Sequence, residues 1–340
     1  MVQRKMKPHS DSNYVRTVLS PNCTLIKSLE KKEQDFAKDV AYGLTRKEKF
    51  VPSKYFYDEA GSELFDKICD LPEYYLTRAE LEILDSAKQE LSEYLDGNYS
   101  VVELGSGSAV KTRHLFEVLC KSQKKIAYYP IDISNVVKES SQRLQGEFDN
   151  LQITGIVDQY ESGLDLVKDV AGKKIIAFFG SSLGNFDQSS AQDFLRKVRS
   201  SMNSGDLFLL GVDLVKGKKV LEAAYNDSEG VTRDFNLNLL RRINYELRGD
   251  LDYAKFEHVA FYNSKEKRIE MHIRSKTKHQ VSIQDIGLSV DLEKGETIRT
   301  EYSHKYAISQ IRKMAKKAGL SPVKIWRDEK NYFALVLFSV

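Results

Sequence analysis

Along the chain, the apolar positions change rhythm several times. Up to about residue 22 the sequence is polar and without a period, and it reads as a loose tail. Helical spacing follows. A helix is predicted over Lys32–Gly43. A second spans Glu63–Leu71, with Leu64, Phe65 and Ile68 on one apolar stripe. A third opens at Thr77, with Glu80 three residues on completing a capping box. Between the first two lies Lys54-Tyr55-Phe56-Tyr57-Asp58-Glu59-Ala60-Gly61-Ser62, aromatic and acidic residues that end in a turn signal.

From Tyr99 onward strands and helices alternate. Strands are predicted at Val101–Leu104, Ile126–Ile131, Leu151–Val157, Lys174–Phe179 and Leu207–Val212, with helices over Lys111–Lys121, Val136–Phe148 and Ser190–Met202. The fourth strand is apolar throughout, as a strand covered on both faces should be. This is the pattern of an α/β protein with a doubly wound sheet, which binds ligands at its strand C-termini. After Asp213 the alternation stops. Helical patterns at Lys218–Tyr225 and Val231–Glu246 lead into a strand where Ile269, Met271 and Ile273 alternate with Glu270, His272 and Arg274. Leu288–Leu292 and Thr297–Ser303 read as a hairpin around Lys294-Gly295. A helix over Ile308–Ala318 and an antiparallel pair, Val323–Trp326 with Phe333–Val340, close the chain. The expected organisation is a flexible tail (1–22), an N-terminal segment of a substrate domain (23–78), a nucleotide-type domain (79–214), a mixed α+β insertion (215–304) and the rest of the nucleotide-type domain (305–340).

Composition narrows the class without naming a function. The 52 Lys and Arg residues are dispersed among 49 Asp and Glu, giving a net charge of +3 and no basic stripe for a nucleic acid. No apolar run is long enough to span a membrane. The N-terminus has basic residues but no apolar core after them, so it does not read as a secretory signal. Cys23, Cys69 and Cys120 are isolated and odd in number, and the six histidines show no ligand spacing. Neither a disulfide framework nor a metal centre is expected. A monomeric cytoplasmic enzyme acting on a small molecule fits this balance.

Chemistry concentrates at Glu103-Leu104-Gly105-Ser106-Gly107, where the first strand of the alternation turns into its helix. Glycines there let the backbone approach a ligand closely. A dinucleotide fingerprint would need a third glycine at position 110, which is Val110. By analogy with S-adenosylmethionine-binding proteins, an acid ahead of the glycines, here Glu103, points to that cofactor, whether it opposes the ammonium group or orients the loop. Asp132, ending the second strand, stands where a ribose-binding carboxylate belongs, although it can also cap the following helix. Asp158, Gln159 and Tyr160 follow the third strand, where an acceptor can read an adenine amine and a ring can stack. Gly180-Ser181-Ser182-Leu183-Gly184-Asn185-Phe186 follows the fourth and faces polar groups into the cleft.

The segments YFYDEAGSELFDKICDLPEYYLTRAE, VVELGSGSAVKTRHL, FFGSSLGNF, LLGVDLVK, AAYNDSEGVTRDFNLN, RIEMHIRS and TEYSHKY together resemble the L-histidine Nα-methyltransferases of ergothioneine biosynthesis, from about Asp35 to the C-terminus. The resemblance implies a seven-strand, Rossmann-like class I methyltransferase domain with a substrate domain. It also implies S-adenosylmethionine as co-substrate, no metal, and a product, hercynine, carrying three methyl groups on the α-nitrogen of histidine. It puts Tyr74, Gly105, Lys111 and Asp132 at S-adenosylmethionine. Near the adenine the family has an acid followed by an aromatic, whereas this chain has Gln159-Tyr160, with Asp158 one residue earlier. For the amino acid it implies Met271 among the contacts, Asn185 and Tyr225 at the carboxylate, Tyr57 near the amine, Phe65 against the methylated nitrogen, and Glu301 with Ser303 at the imidazole. Residues two apart on a strand share a face, in keeping with that last pair. Relatives of the family methylate a prenylated tryptophan, but an indole has no second ring nitrogen for Glu301 and Ser303 to serve. A nicotinamide-dependent dehydrogenase fails at Val110, and a non-catalytic binding module has no need to keep the cofactor residues together with Glu301.

Overall fold

The computed structural model describes residues 13–29 and 32–340. Its main sheet contains β1 (Tyr14–Ser20), β2 (Cys23–Ser28), β4 (Tyr99–Leu104), β5 (Ile126–Asp132), β6 (Leu151–Val157), β7 (Lys173–Phe178), β8 (Leu207–Asp213), β14 (Ser321–Arg327) and β15 (Phe333–Ser339). Their order across the sheet is β1-β2-β6-β5-β4-β7-β8-β15-β14. The five strands of the β–α alternation run parallel, while β15 enters antiparallel to β8 and β14 antiparallel to β15. Chain order reverses between β4 and β7, which opens a crevice at the carboxyl ends of these strands.

The alternating apolar residues of these strands face two cores. Val101, Ile175, Ala177, Leu209 and Leu335 pack on the side covered by α3 (Tyr75–Tyr94) and α4 (Thr112–Leu119). Val102, Leu104, Ile176, Phe208, Leu210 and Val336 face α6 (Tyr160–Val167), α7 (Gln188–Ser200) and α10 (Ile308–Ala318). At about 1.5–3 kcal/mol for each fully buried large side chain, these two layers are what hold the sheet.

The sheet has nine strands instead of seven. The extra two come from the N-terminal stretch expected to be a tail and the start of a substrate segment. The first twelve residues of the expected tail lie outside the described residues. The remainder is the edge strand β1, paired antiparallel with β2, and β2 pairs parallel with β6. Residues 23–28 thus belong to the main sheet and not to a substrate domain. β1 has an almost wholly exposed middle. It is held through its backbone, so no hydrophobic period announces it.

A second sheet, ordered β3-β13-β10-β9, comprises β3 (Lys49–Phe50), β9 (Phe256–Asn263), β10 (Arg268–Ser275) and β13 (Thr297–His304). The expected hairpin around Lys294-Gly295 does not form. β12 (Leu288–Leu292) pairs with β11 (His279–Ile283), whereas β13 pairs with β10. Ile269, Met271 and Ile273 supply a buried face that only β13 and β9 complete. Helix α9 (Val231–Leu247) packs between this sheet and α2 (Glu59–Asp70). Beyond β13, Tyr306 bonds back to Asp213 and Val215 and joins this sheet to the end of β8.

Candidate active site

The loop after β4 is shaped by its glycines. Gly105 adopts φ +70°, and a Cβ there would lie 2.9 Å from the Tyr160 hydroxyl. Gly107 adopts φ +45° and donates its N–H to Asp132 Oδ2 at 3.2 Å. The other Asp132 oxygen accepts the backbone N–H and the hydroxyl of Ser134, at 2.9 and 2.8 Å. Asp132 is therefore half-buried, oriented on both sides, and closes a local turn ahead of α5 (Val136–Glu147) without being that helix's cap. Gly105 is exposed at the crevice, so its backbone is open to a ligand.

Glu103 resolves the two roles expected of it. It is buried beneath the loop and accepts the Tyr128 hydroxyl. Burial raises its carboxyl to about 7, against the lowering effect of that bond. It therefore braces the loop from inside the sheet. Lys111 forms an ion pair with the fully buried Glu80 at 2.7 Å, and Glu80 also accepts the Gly180 N–H at 2.8 Å. Glu80 completes no capping box, and α3 begins without a side-chain cap. Its carboxylate instead ties α3 to the loops after β4 and β7. Past β6, the buried Asp158 accepts the Tyr14 hydroxyl of β1 (2.9 Å) and the Gln159 N–H (2.7 Å). The Gln159 side chain stays exposed, while the Tyr160 ring packs edge-on against Phe178 and Phe194.

On the opposite wall the aromatic residues converge. Asp58 caps α2, accepting the Gly61 N–H (2.7 Å) and the Asn238 amide from α9 (2.8 Å). A Cβ on Gly61 would strike the Phe56 carbonyl, so the chain needs glycine to turn here. That turn places the Tyr57 ring 5.5 Å from Phe65 and 5.8 Å from Phe235. Tyr74 lies edge-on to Phe65 and to Tyr225, at 6.3 Å from each. Burial holds the Tyr57, Tyr74 and Tyr225 phenols above their ordinary range, so they are neutral near pH 7. Phe235 escapes sequence reading because it belongs to the apolar stripe of α9, and nothing local marks it as a wall of a site.

The polar end of this wall is built by β13. Met271 opposes Glu301 in the ladder and Ile269 opposes Ser303. Between Glu301 and Arg299 the register slips, leaving Thr300 as an extra residue whose hydroxyl donates to Asn236 at 2.7 Å. Bulges of this kind re-aim side chains beside functional sites. Glu301 and Ser303 are both buried on one face, as their spacing predicts. Burial pushes the Glu301 carboxyl up to about 7, opposed by Lys305 and by a hydrogen bond from Asn185. The Tyr225 hydroxyl donates to Ser303 Oγ at 2.8 Å and is not directed at Asn185.

The structure thus brings together Tyr57, Phe65, Tyr74, Asn185, Tyr225, Met271, Glu301 and Ser303 at one wall, and Gly105, Asp132 and Tyr160 at the other. Lys111 meets Glu80 at Gly180, behind the glycine loop. Among the described residues no group of His, Cys, Asp and Glu could hold a metal, and no helix is long and apolar enough to cross a membrane.

Residues 36–340 match the model of a family described as histidine-specific, S-adenosylmethionine-dependent methyltransferases. The chain belongs to this family. The resemblance read from the motifs is therefore upheld, and S-adenosylmethionine is the methyl donor. A histidine N-alpha-methyltransferase of Mycobacterium tuberculosis is 38% identical over 88% of this chain and 93% of its own length. Ergothioneine biosynthesis protein 1 of Neurospora crassa is 30% identical over 83% of this chain, which spans 32% of that longer protein. A 4-dimethylallyltryptophan N-methyltransferase of Arthroderma benhamiae is 29% identical over 87% of this chain and 91% of its own. Within the histidine-specific family, the open Gly105 backbone, the oriented Asp132 and the exclusion of a side chain at Gly105 by Tyr160 are features that fit a nucleoside methyl donor.

Proposed function

We propose that this enzyme transfers methyl groups to the α-amine of L-histidine three times, giving hercynine for ergothioneine biosynthesis. The observation that carries this reading is the pairing of a buried carboxylate, Glu301, with a buried hydroxyl, Ser303, at the end of an aromatic wall. An imidazole has one N–H to donate and one nitrogen to accept, and these two side chains answer both. An indole leaves one of them unpaired, so the ring end favours histidine over the tryptophan derivative named for the Arthroderma relative.

In this reading Asp132 and the Gly105 backbone hold the ribose and amino-acid ends of S-adenosylmethionine, with Tyr74 and Lys111 beside them. Gln159 and Tyr160 flank the adenine. S-adenosylmethionine supplies a methyl group already activated on sulfonium, so the protein's work is alignment and exclusion of water, worth about 7–11 kcal/mol when positioning is complete. Asn185 flanks the substrate carboxylate, with the Tyr225 ring alongside while its hydroxyl hydrogen stays on Ser303. Tyr57 orients the amine as a neutral phenol; with its pKa held high it is no base, and the amine proton leaves to water. After the third transfer the nitrogen is a fixed cation. Phe65, Tyr57 and Tyr74 stabilise it by about 0.5–2 kcal/mol through their ring faces.

The test is a substitution at the ring end. Glu301→Ala should lower kcat/KM for histidine by at least about a hundredfold, because a buried ring N–H loses a charged acceptor, and should leave S-adenosylhomocysteine affinity nearly unchanged in calorimetry. Undiminished histidine turnover, or wild-type enzyme that releases only monomethylhistidine, would remove the reading.

A further inference from the structure

Behind the ring end lies a lysine that the proposed reading leaves without a role. Lys305 is 1% exposed and two residues past Ser303 on the same side of the chain. Its ammonium pairs with Asp213 Oδ2 at 2.9 Å and donates to Ser303 Oγ at 2.9 Å and to Tyr225 Oη at 3.1 Å. An ammonium has three hydrogens, and all three are placed. Asp213, also fully buried, is held by the Tyr75 hydroxyl (2.7 Å) and by Lys216.

The proton count decides what Ser303 can offer. Its oxygen accepts from Lys305 and from Tyr225, which fills both lone pairs. Its own hydrogen has nowhere to go within this cluster and is left for the pocket. Resting on the proposed histidine reading, we propose that Lys305 is a positioning residue that makes Ser303 a hydrogen-bond donor to the unprotonated ring nitrogen of the substrate. Glu301 accepts from the other nitrogen. The site then reads neutral imidazole in one orientation, by one accepted and one donated bond. Without Lys305, Ser303 can turn its hydrogen toward Tyr225 and present a lone pair, which repels that nitrogen.

The two pyrrolylalanines isolate this bond, because each keeps one ring N–H and replaces the other nitrogen by C–H. One of them retains the N–H that faces Glu301 and lacks only the acceptor for Ser303. Wild-type enzyme should prefer histidine over that analogue by about tenfold or more in kcat/KM. Measured well above pH 7, so that losing the Lys305 charge does not protonate Glu301, Lys305→Met should lose most of this preference by slowing histidine alone, with the analogue's kcat/KM within about threefold of wild type. In a Ser303→Ala background the same substitution should change the preference by less than about twofold, since the two residues act in series. Asp213 keeps Tyr75 and Lys216 in the variant, and retained S-adenosylhomocysteine binding would show that it is folded. Should Lys305→Met not fold, Lys305→Gln must lose part of the preference, because its two amide hydrogens cannot serve Asp213, Ser303 and Tyr225 together. A Lys305 variant that binds S-adenosylhomocysteine, slows both amino acids equally and keeps the full preference would overturn the assignment. Wild-type enzyme without any preference for histidine would instead overturn the histidine reading itself.

Discussion

At the residue scale, two side-chain environments make direct predictions. Gly105 holds φ +70° with the Tyr160 hydroxyl where a Cβ would go. Gly105→Ala must bear a left-handed conformation costing about 1–2 kcal/mol and must also displace Tyr160. S-adenosylhomocysteine affinity should fall about tenfold or more in calorimetry, and an unchanged value would show that the ligand does not depend on this backbone. Glu301 carries a pH signature. Its carboxyl is raised to about 7 by burial, with Lys305 and Asn185 pulling it back down. A raised carboxyl takes up its proton as pH falls through 7, and a protonated Glu301 cannot act as a charged acceptor for the ring N–H. Histidine kcat/KM should therefore drop below about pH 7 more steeply than amine protonation alone requires. Glu301→Gln should remove that added step, and an equally steep profile would exclude Glu301 as the titrating group. The strand ends that carry Gly105 and Asp132 were legible in sequence, whereas Glu301 and Ser303 were singled out by the family resemblance, their spacing saying only that they share a strand face. Glu80, Phe235 and Lys305 were not legible. Glu80 and Phe235 look like ordinary helix positions, and Lys305 is meaningful only beside Asp213, far away in sequence.

At the element scale, α3 lies so close to β8 that one glycine is indispensable. A Cβ on Gly211 would come within 2.0 Å of Glu80 Oε1, the carboxylate that also holds Lys111 and Gly180. Gly211→Ala should destabilise the fold by about 1–3 kcal/mol, as overpacking does, and weaken S-adenosylhomocysteine binding through the displaced Glu80. Denaturant unfolding with and without ligand measures both; stability equal to wild type would mean that α3 can move away freely. The element register is also where sequence reading misled. The β–α alternation and the closing antiparallel pair were recovered because buried parallel strands and amphipathic helices carry strong periods. The hairpin around Lys294-Gly295 was not, because a turn signal does not say which sheet will take the next strand.

At the scale of the whole molecule, the two sheets meet through a buried charge cluster. Tyr306 anchors the end of β13 to β8, and Lys305 next to it pairs with Asp213. The carboxyl edge of the nucleotide-type sheet and the Ser303 end of the aromatic wall thus share one set of buried charges, which no pattern within either part reveals. The nine-strand sheet went unforeseen for a related reason: β1 is joined by backbone pairing and by Tyr14 reaching Asp158, not by an apolar face.

That N-terminal hairpin also fixes a schedule for synthesis. β1 and β2 leave the ribosome before the rest of the described sheet, yet the strand that receives them, β6, is completed only at Val157. At the other side β8 remains an open edge until β15, far later in sequence, is made. A nascent chain therefore carries unpaired strand edges while the intervening residues are made, the condition in which neighbouring copies stick together. In β1 the exposed Val15 and Val18 add to that hazard, and the charge of Arg16 between them blunts the edge.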